Sequence, residues 1–548
     1  MNNIARAKVA PEPRDNENPH LGNAHFELAI GTRTMNLTLG LRRAARLRGN
    51  AAALSFEGRH QSWSTLEERC AKLGAALRNL GVVANDRVSI LARNSDRYVE
   101  YYFATLWCGG VFAPLNYRWA EPEMNACLND CKPRVLLVDR DFSGLAKTLQ
   151  KTNPTIQHVI FADDGDAPTG LLNYEQLLLD SYPMTDAMRG YDDLACLFYT
   201  SGATGQSKGV MLTHTNLVMN VMNTLSGYGY TEDSVGLLAG PLFHLATGAR
   251  VFTATFAMSR QVVLRQFDTL QALRTIERER VTTTQLIPTM AKMLLDEPEF
   301  TNHDLSCLEV LSYGGSPMPE MVLRRLLQAL PNVRILQSYG MTETSPVVTC
   351  LPPSRHVLSG PLAGKLRTAG RVVTNVELRI IDDNGAEVAS DTVGEILVRG
   401  PSVSKGYWNQ PELTAQALRG GWLHTGDMER LDKDGYLTVV DRKKDMIISG
   451  GENVYSTEVE DTIYRHPDVF ECVVFGVPHE KWGESVHAIV VAKPDRTLDV
   501  QTVLDHCRGQ IAGYKCPRSV DIRDTVLPKS GTNKIDKAGL RKLYVRGS

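Results

Sequence analysis

The sequence predicts an α/β fold: a large N-terminal domain of α/β subdomains, a small β subdomain, and a small α+β C-terminal domain. Strand-like apolar runs alternate with amphipathic helical stretches from Arg87 to Gln337, the rhythm of a mainly parallel sheet covered by helices. After Arg371 this gives way to short β runs separated by turn pairs such as Asn384-Gly385 and Asp434-Gly435. From Lys443 the pattern changes again, to mixed helices and strands over about a hundred residues, enough for a separate domain.

Residues 1–25 are expected to be disordered, and Thr38–Gly49 reads as a first helix. Trp63–Leu80 is amphipathic, entered at Ser64 and closed by Gly81. There follow a strand at Arg87–Leu91, a helix at Asp96–Cys108, a strand at Val111–Leu115, a short helix from Glu121 and a strand at Arg134–Val138. The apolar run Leu194–Phe198 leads into a glycine-rich loop and a further short β segment, with a helix starting near Thr215. Strands at Thr282–Ile287, Leu308–Tyr313 and Val333–Gln337 are separated by helices from Thr289 and at Pro317–Leu330. The β subdomain contributes Val376–Ile381, Gly394–Val398 and Tyr436–Val440. The last domain contributes helices at Thr457–Arg465 and Val500–Gln510 and strands at Cys472–Val477 and His487–Ala492.

A chain of 548 residues exceeds one ordinary core, so two or more domains are expected. With 60 basic against 62 acidic residues it has no global field to attract nucleic acid or an anionic membrane. The ten cysteines are scattered and lack histidine partners at metal-site spacing, which points to a reduced, cytoplasmic setting. No apolar run approaches transmembrane length, and residues 1–20 carry no apolar signal segment.

Tyr199-Thr-Ser-Gly-Ala-Thr-Gly-Gln-Ser-Lys-Gly209 packs three glycines, four aliphatic hydroxyls and one lysine into eleven residues. This is the make-up of a phosphate cradle: glycine lets backbone amides approach phosphate oxygens, hydroxyls donate further, and Lys208 supplies a compact charge. It is not a Walker A loop, because Lys208 is followed by Gly209 and an apolar run. The kinase and GTPase readings fall away.

The other candidates are modest one by one. His244 sits in Pro241-Leu-Phe-His-Leu, where a packed core histidine is the ordinary reading. Thr342 and Glu343, in Tyr339-Gly-Met-Thr-Glu, offer hard oxygen donors suited to Mg²⁺, or merely an acidic helix start. Thr425-Gly-Asp427 reads as a turn whose aspartate can accept from both ribose hydroxyls. Arg442-Lys-Lys-Asp445 is a charge run at the domain junction, Ser449-Gly-Gly-Glu452 a flexible loop that could line a channel, and Lys534 lies on a glycine-containing loop.

Taken in order, these motifs resemble those of the adenylate-forming superfamily of acyl-CoA synthetases, peptide-synthetase adenylation domains and firefly luciferase. The resemblance runs from about Leu39 to the C-terminus. Gly394-Glu-Ile, Lys405-Gly-Tyr-Trp, Gly421-Trp-Leu-His-Thr-Gly-Asp and Ser449-Gly-Gly-Glu-Asn-Val-Tyr are most similar to the acyl-CoA synthetase branch. The resemblance implies a ligase that uses ATP, Mg²⁺ and coenzyme A: a carboxylate attacks the α-phosphate to give acyl-AMP, and a thiol then displaces AMP. An acyl carrier protein as acceptor stays open, as do a homodimer, a luciferase-type oxygenase and a non-catalytic nucleotide-binding protein.

By the same resemblance Thr200, Ser201, Gly202, Thr204, Gly205 and Lys208 would hold the β- and γ-phosphates, with Mg²⁺ near Thr342 and Glu343. Asp427, helped by Arg442, would hold the ribose, Gly315, Tyr339 and Gly340 would border the adenine, and His244 would sit beside the acyl carboxylate. Lys534 would neutralise the charge developing between carboxylate and α-phosphate. The family's C-terminal domain rotates between the two half-reactions. That gives an adenylation domain at 1–441, a hinge at 442–446 pivoting on Lys444, and a mobile domain at 447–548 that carries Ser449, Gly450 and Gly451 to the pantetheine arm. Asn533 departs from the glycine usual before the terminal lysine, but tolerates left-handed backbone.

The acyl pocket is expected among Ala246, Arg250, Tyr313, Gly314, Ser338 and Pro346, with a mostly small or apolar lining. Ala246, where aromatic-acid ligases tend to carry a bulkier residue, favours a medium- or long-chain fatty acid, with a cinnamate- or benzoate-type acid as the alternative. Arg250 is open between meeting a polar or second carboxylate group and lying on the surface or in an ion pair.

Overall fold

The computed structural model describes residues 35–201, 207–529 and 535–545. Gly202, Thr204, Gly205, Asn533 and Lys534, and the expected disorder of residues 1–25, therefore lie outside the described residues.

Two large sheets form the bulk of the chain, and both follow the α/β rhythm of the sequence. The first runs Leu172–Asn173, His158–Phe161, Val135–Val138, Arg87–Leu91, Val111–Pro114 and Leu194–Ser201, all parallel, with Ser207–Thr213 added antiparallel at the edge. The second has nine strands. Its parallel centre is Arg334–Tyr339, Val310–Gly314, Thr283–Leu286, Val235–Leu238, Arg260–Val263 and Ala52–Phe56, and antiparallel strands close both ends. The expected strands agree to within a few residues. The hairpin Ala52–Phe56/Arg59–Ser62, turning through Glu57 and Gly58 at φ 45° and 83°, and the strands Val235–Leu238 and Arg260–Val263 are additions that the sequence reading passed over.

Ser62, not Ser64, opens the helix Trp63–Asn79: its backbone is extended and its hydroxyl accepts from the amide of Thr65 at 3.1 Å. Ser64 already lies inside the first turn. The seam between the sheets is aromatic. Tyr102, Phe112, Phe198 and Phe252 pack with ring centroids 4.5 to 6.1 Å apart, and the Tyr102 hydroxyl donates to the carbonyl of Leu242. Phe252 belongs to the helix Leu245–Ala257, so this cluster fixes the helix that carries Ala246 and Arg250.

The β subdomain is a four-stranded antiparallel sheet, Glu377–Ile381, Gly394–Arg399, Leu423–Leu431 and Leu437–Arg442. The C-terminal unit is a mixed sheet, Glu452–Val454, Ile447–Ser449, Gly483–Ala492 and Val469–His479, with Ser519–Arg523 parallel to Gly483–Ala492. Among the described residues no helix is long and apolar enough to cross a membrane, and no group of three or more His, Cys, Asp and Glu side chains could hold a metal ion. All ten cysteines are free thiols.

Candidate active site

The phosphate-cradle segment is the mouth of a β-hairpin. Leu194–Ser201 and Ser207–Thr213 pair antiparallel, setting Thr200 opposite Lys208 and Ser201 opposite Ser207. The apolar halves of both strands are largely buried, while Thr200, Ser207 and Lys208 are half-buried. Tyr199, at the boundary, donates to Asp130 at 2.6 Å.

Lys208 lies over the ring of Tyr407, 5.2 Å from its centroid, and the Tyr407 hydroxyl donates to Glu343 Oε1 at 2.9 Å. Thr342–Thr344 is a single 3₁₀ turn, with Thr342 half-buried and Glu343 buried. The backbone carbonyl of Glu343 accepts from Ser404 at 2.8 Å. Burial pushes the Glu343 carboxyl above the usual range; Tyr407, Arg442 and Lys208 pull it back. A buried carboxylate with one oxygen committed to Tyr407, beside a half-buried hydroxyl, suits a cation that keeps waters and takes few protein ligands.

A second group centres on Asp427. The sequence reading placed it on a turn, but it lies within the strand Leu423–Leu431, opposite Arg442 in the register. The turn-like signature has a local cause: the ladder shifts at Met428/Glu429, and Gly426 takes φ 71°. Asp427 Oδ2 accepts from the Tyr339 hydroxyl at 2.7 Å, and Oδ1 is 3.2 Å from Arg442 Nε.

Glu429, two residues along the same strand, was not anticipated. It is fully buried, and neither carboxylate oxygen has a hydrogen-bond partner among the described residues. Burial, and after it the neighbouring Asp427 charge, push its carboxyl well above 4.5, so the folded chain holds the proton more tightly than the unfolded chain. The stability that this contributes is complete below the unfolded value and is lost as pH rises through the folded one. Glu429→Gln is therefore expected to raise the apparent midpoint of thermal unfolding by several degrees at about pH 8 and to leave it unchanged near pH 4.5. Thermal scans at the two pH values check both the size and the sign.

The third group is a cavity of about 50 Å³. Ala246, Arg250, Gly315, Ser338, Tyr339, Gly340 and Pro346, all singled out in the sequence, meet around it. Gly340 is required there by close approach: a Cβ would lie 1.8 Å from the carbonyl oxygen of Pro346. Tyr313 and Gly314 are corrections to the expected lining. Tyr313 is buried in the core of the second sheet, its hydroxyl 3.2 Å from Gln337 and 3.1 Å from His356, and Gly314 lies against the backbone of Ser338. Asn220, Thr224, Thr253 and Gln285 join the lining, whose exposed surface is mostly apolar. Their signal was present as a stripe: Asn216, Asn220 and Thr224 recur at helical spacing in His214–Tyr228 and are buried.

Arg250 is buried, and among the described residues it is in no ion pair. It is 6% exposed, and its bonds go to Gln285, Tyr230 and Ser312. His244 stands at the N-terminus of the helix Leu245–Ala257, half-buried, its ring against Phe243 at 4.5 Å.

In the C-terminal unit, Ser449 and Glu452 are a paired position of a hairpin. Gly450 and Gly451 form its two-residue turn at φ 64° and 87°, both left-handed, which replaces the expected loose loop by a defined one. The Gly450 amide donates to the carbonyl of Trp482 at 2.8 Å. Lys444 is exposed, between the strands Leu437–Arg442 and Ile447–Ser449.

Two parallel-centred sheets, a hairpin and a buried carboxylate that feels the charges of Lys208 and Arg442 make up the described part of the candidate site. Residues 41–408 match the AMP-binding enzyme family and residues 458–534 match the AMP-binding enzyme C-terminal domain. The chain belongs to this adenylate-forming family, and its class is that of AMP-forming acid–thiol ligases. It is 38% identical to a feruloyl-CoA synthase of an Amycolatopsis species, over 92% of this chain and 98% of that one. To the fatty acid–[acyl-carrier-protein] ligase ScoC of Streptomyces coeruleorubidus it is 33% identical, over 90% and 93%. The crystal structure of the anthranilate CoA ligase AuaEII with anthranoyl-AMP superposes with a TM-score of 0.86 at 27% identity, covering 93% of this chain and 98% of that one.

Proposed function

We propose that the chain joins a carboxylic acid to coenzyme A in two steps, through an acyl-adenylate. The observation that carries this reading is Tyr339-Gly340, which lines the acid cavity while the Tyr339 hydroxyl bonds the ribose candidate Asp427. An acid in the cavity and a nucleotide on Asp427 would share one wall.

In the first step a carboxylate oxygen bonds to the α-phosphorus and the bond to pyrophosphate breaks. An anion must approach a polyanion, so preorganised positive charge carries the rate. Lys208, with Thr200, Ser201, Gly202, Thr204 and Gly205, holds the departing pyrophosphate. Glu343 and Thr342 hold Mg²⁺, which when bound neutralises phosphate charge. Asp427 and Arg442 hold the ribose, Gly315 borders the adenine, His244 lies beside the carboxylate, and Lys534 meets the developing charge. In the second step the domain at 447–548 turns about Lys444 within a hinge at 442–446, away from an adenylation domain at 1–441, and brings Ser449–Gly451 to the pantetheine arm. Ten unpaired thiols suit a reducing cytoplasm.

A compact cavity with Arg250 and Gln285 in an otherwise mostly apolar wall supports a small or aromatic acid over a long chain. Thioester and AMP formation from ATP and coenzyme A across aromatic, fatty and dicarboxylic acids tests the reading. AMP formation with none of them sinks it. Likeness to ScoC favours one second reading, transfer to a pantetheinylated carrier protein, and the same assay with that acceptor separates the two.

Nothing lies within 4 Å of a Cβ placed on Gly451, which leaves room there for a passing chain, and its positive φ resists branched side chains. Gly451→Val is expected to slow thioester formation from preformed acyl-AMP by about tenfold or more while pyrophosphate release is preserved. Equal rates of thioester formation in variant and parent would remove the channel from Ser449–Gly451.

A further inference from the structure

Arg250 carries a charge that this fold leaves unanswered. Its Nε donates to Gln285 Oε1 at 3.1 Å, Nη1 to the Tyr230 hydroxyl at 3.3 Å and Nη2 to Ser312 Oγ at 2.8 Å, and the guanidinium stacks over Tyr228 with 4.4 Å to the ring centroid. Every one of these partners is neutral. Among the described residues no carboxylate lies within ion-pair distance of Arg250. Arg97, buried to the same degree, shows the usual solution: Glu175 at 2.9 Å and Asp164 at 2.8 Å.

Leaving a buried guanidinium without an anion is costly, and an arginine has five N–H donors, of which the three bonds above use three. Its position gives the cost a purpose. Arg250 and Ala246 are one helical turn apart on the same face, and both line the cavity that ends at Tyr339-Gly340. An acid with its reacting carboxyl against Tyr339-Gly340, the wall shared with Asp427, would present its far end to Arg250 in the same cavity. Gln285, already bonded to Arg250, lines the same wall.

We propose that Arg250 is the specificity-determining residue of the acid site and binds a second carboxylate, so that the substrate class is a compact dicarboxylic acid, aliphatic or aromatic. This rests on the ligase reading above. The carboxylate accepts two parallel N–H bonds and supplies the missing counter-charge. A neutral end forfeits both.

The test compares matched pairs on the full-length enzyme: adipate against its monomethyl ester, and 4-carboxycinnamate against its para-methyl ester, read as kcat/KM for pyrophosphate release. The diacid of at least one pair is expected to be preferred by about 30-fold or more. In Arg250→Met that preference is expected to vanish, and Arg250→Lys is expected to keep part of it. The ratio within one protein does not report a general loss of stability, so a purely structural arginine would leave it unchanged. Equal or better use of the ester in both pairs by the parent enzyme overturns the assignment even if no variant folds, and so does an unchanged ratio in Arg250→Met. Turnover of esters and simple monoacids without diacids overturns this proposal and leaves the ligase reading standing. No pyrophosphate release with any acid overturns the ligase reading itself and this one with it.

Discussion

Lys534→Ala is expected to lower acyl-adenylate formation by about a thousandfold while leaving thioester formation from synthetic acyl-AMP close to the parent rate. The first half-reaction drives a carboxylate onto a triphosphate, and a cation placed where the new charge appears is the term that only the transition state feels. The second half-reaction expels AMP from a mixed anhydride, the thiol bonding to the acyl carbon as its bond to the phosphate oxygen breaks, and has no such demand at that position. Measuring pyrophosphate release and, separately, thioester formation from added acyl-AMP checks the split. Equal damage to both halves would mean that one closed arrangement serves both steps and would remove the domain alternation.

Glu343→Gln is the second large effect. The amide can still accept from Tyr407, so the local packing is retained, but the charge between Lys208 and Arg442 is gone. Adenylation is expected to fall on the order of a hundredfold. Together with Arg250→Met, Glu429→Gln and Gly451→Val, these variants separate acid choice, folding, phosphate chemistry and thiol transfer.

The α/β alternation was legible because strand and helix periods differ and each helix carries local start signals; Asp96 and Glu121 open helices in the fold as they do in the sequence. The ordered motifs pointed to the family for the same reason, each being a short segment with its own chemistry. What escaped was non-local. Tyr407 lies 64 positions from the Glu343 carboxylate it bonds, and nothing near Tyr407 announces that partner. Glu429 reads as one more exposed strand residue until the sheet buries it. Arg250 could be left open only between the pocket and a surface or ion-paired place, because its burial depends on Tyr228 from a helix, Tyr230 from the loop after it, and Gln285 and Ser312 from two strands. Tyr313 was misplaced because the fold turns it to the far side of its own strand.

The Ser449–Glu452 tip bears on how the second half-reaction begins. Its shape comes from its own two-residue turn and the strand pairing behind it. A tip of this kind arrives already formed, like a key cut before it meets the lock. Turning the C-terminal unit into place would then spend free energy on moving a body and not on ordering a loop, which leaves more of the contact energy available for holding the incoming thiol.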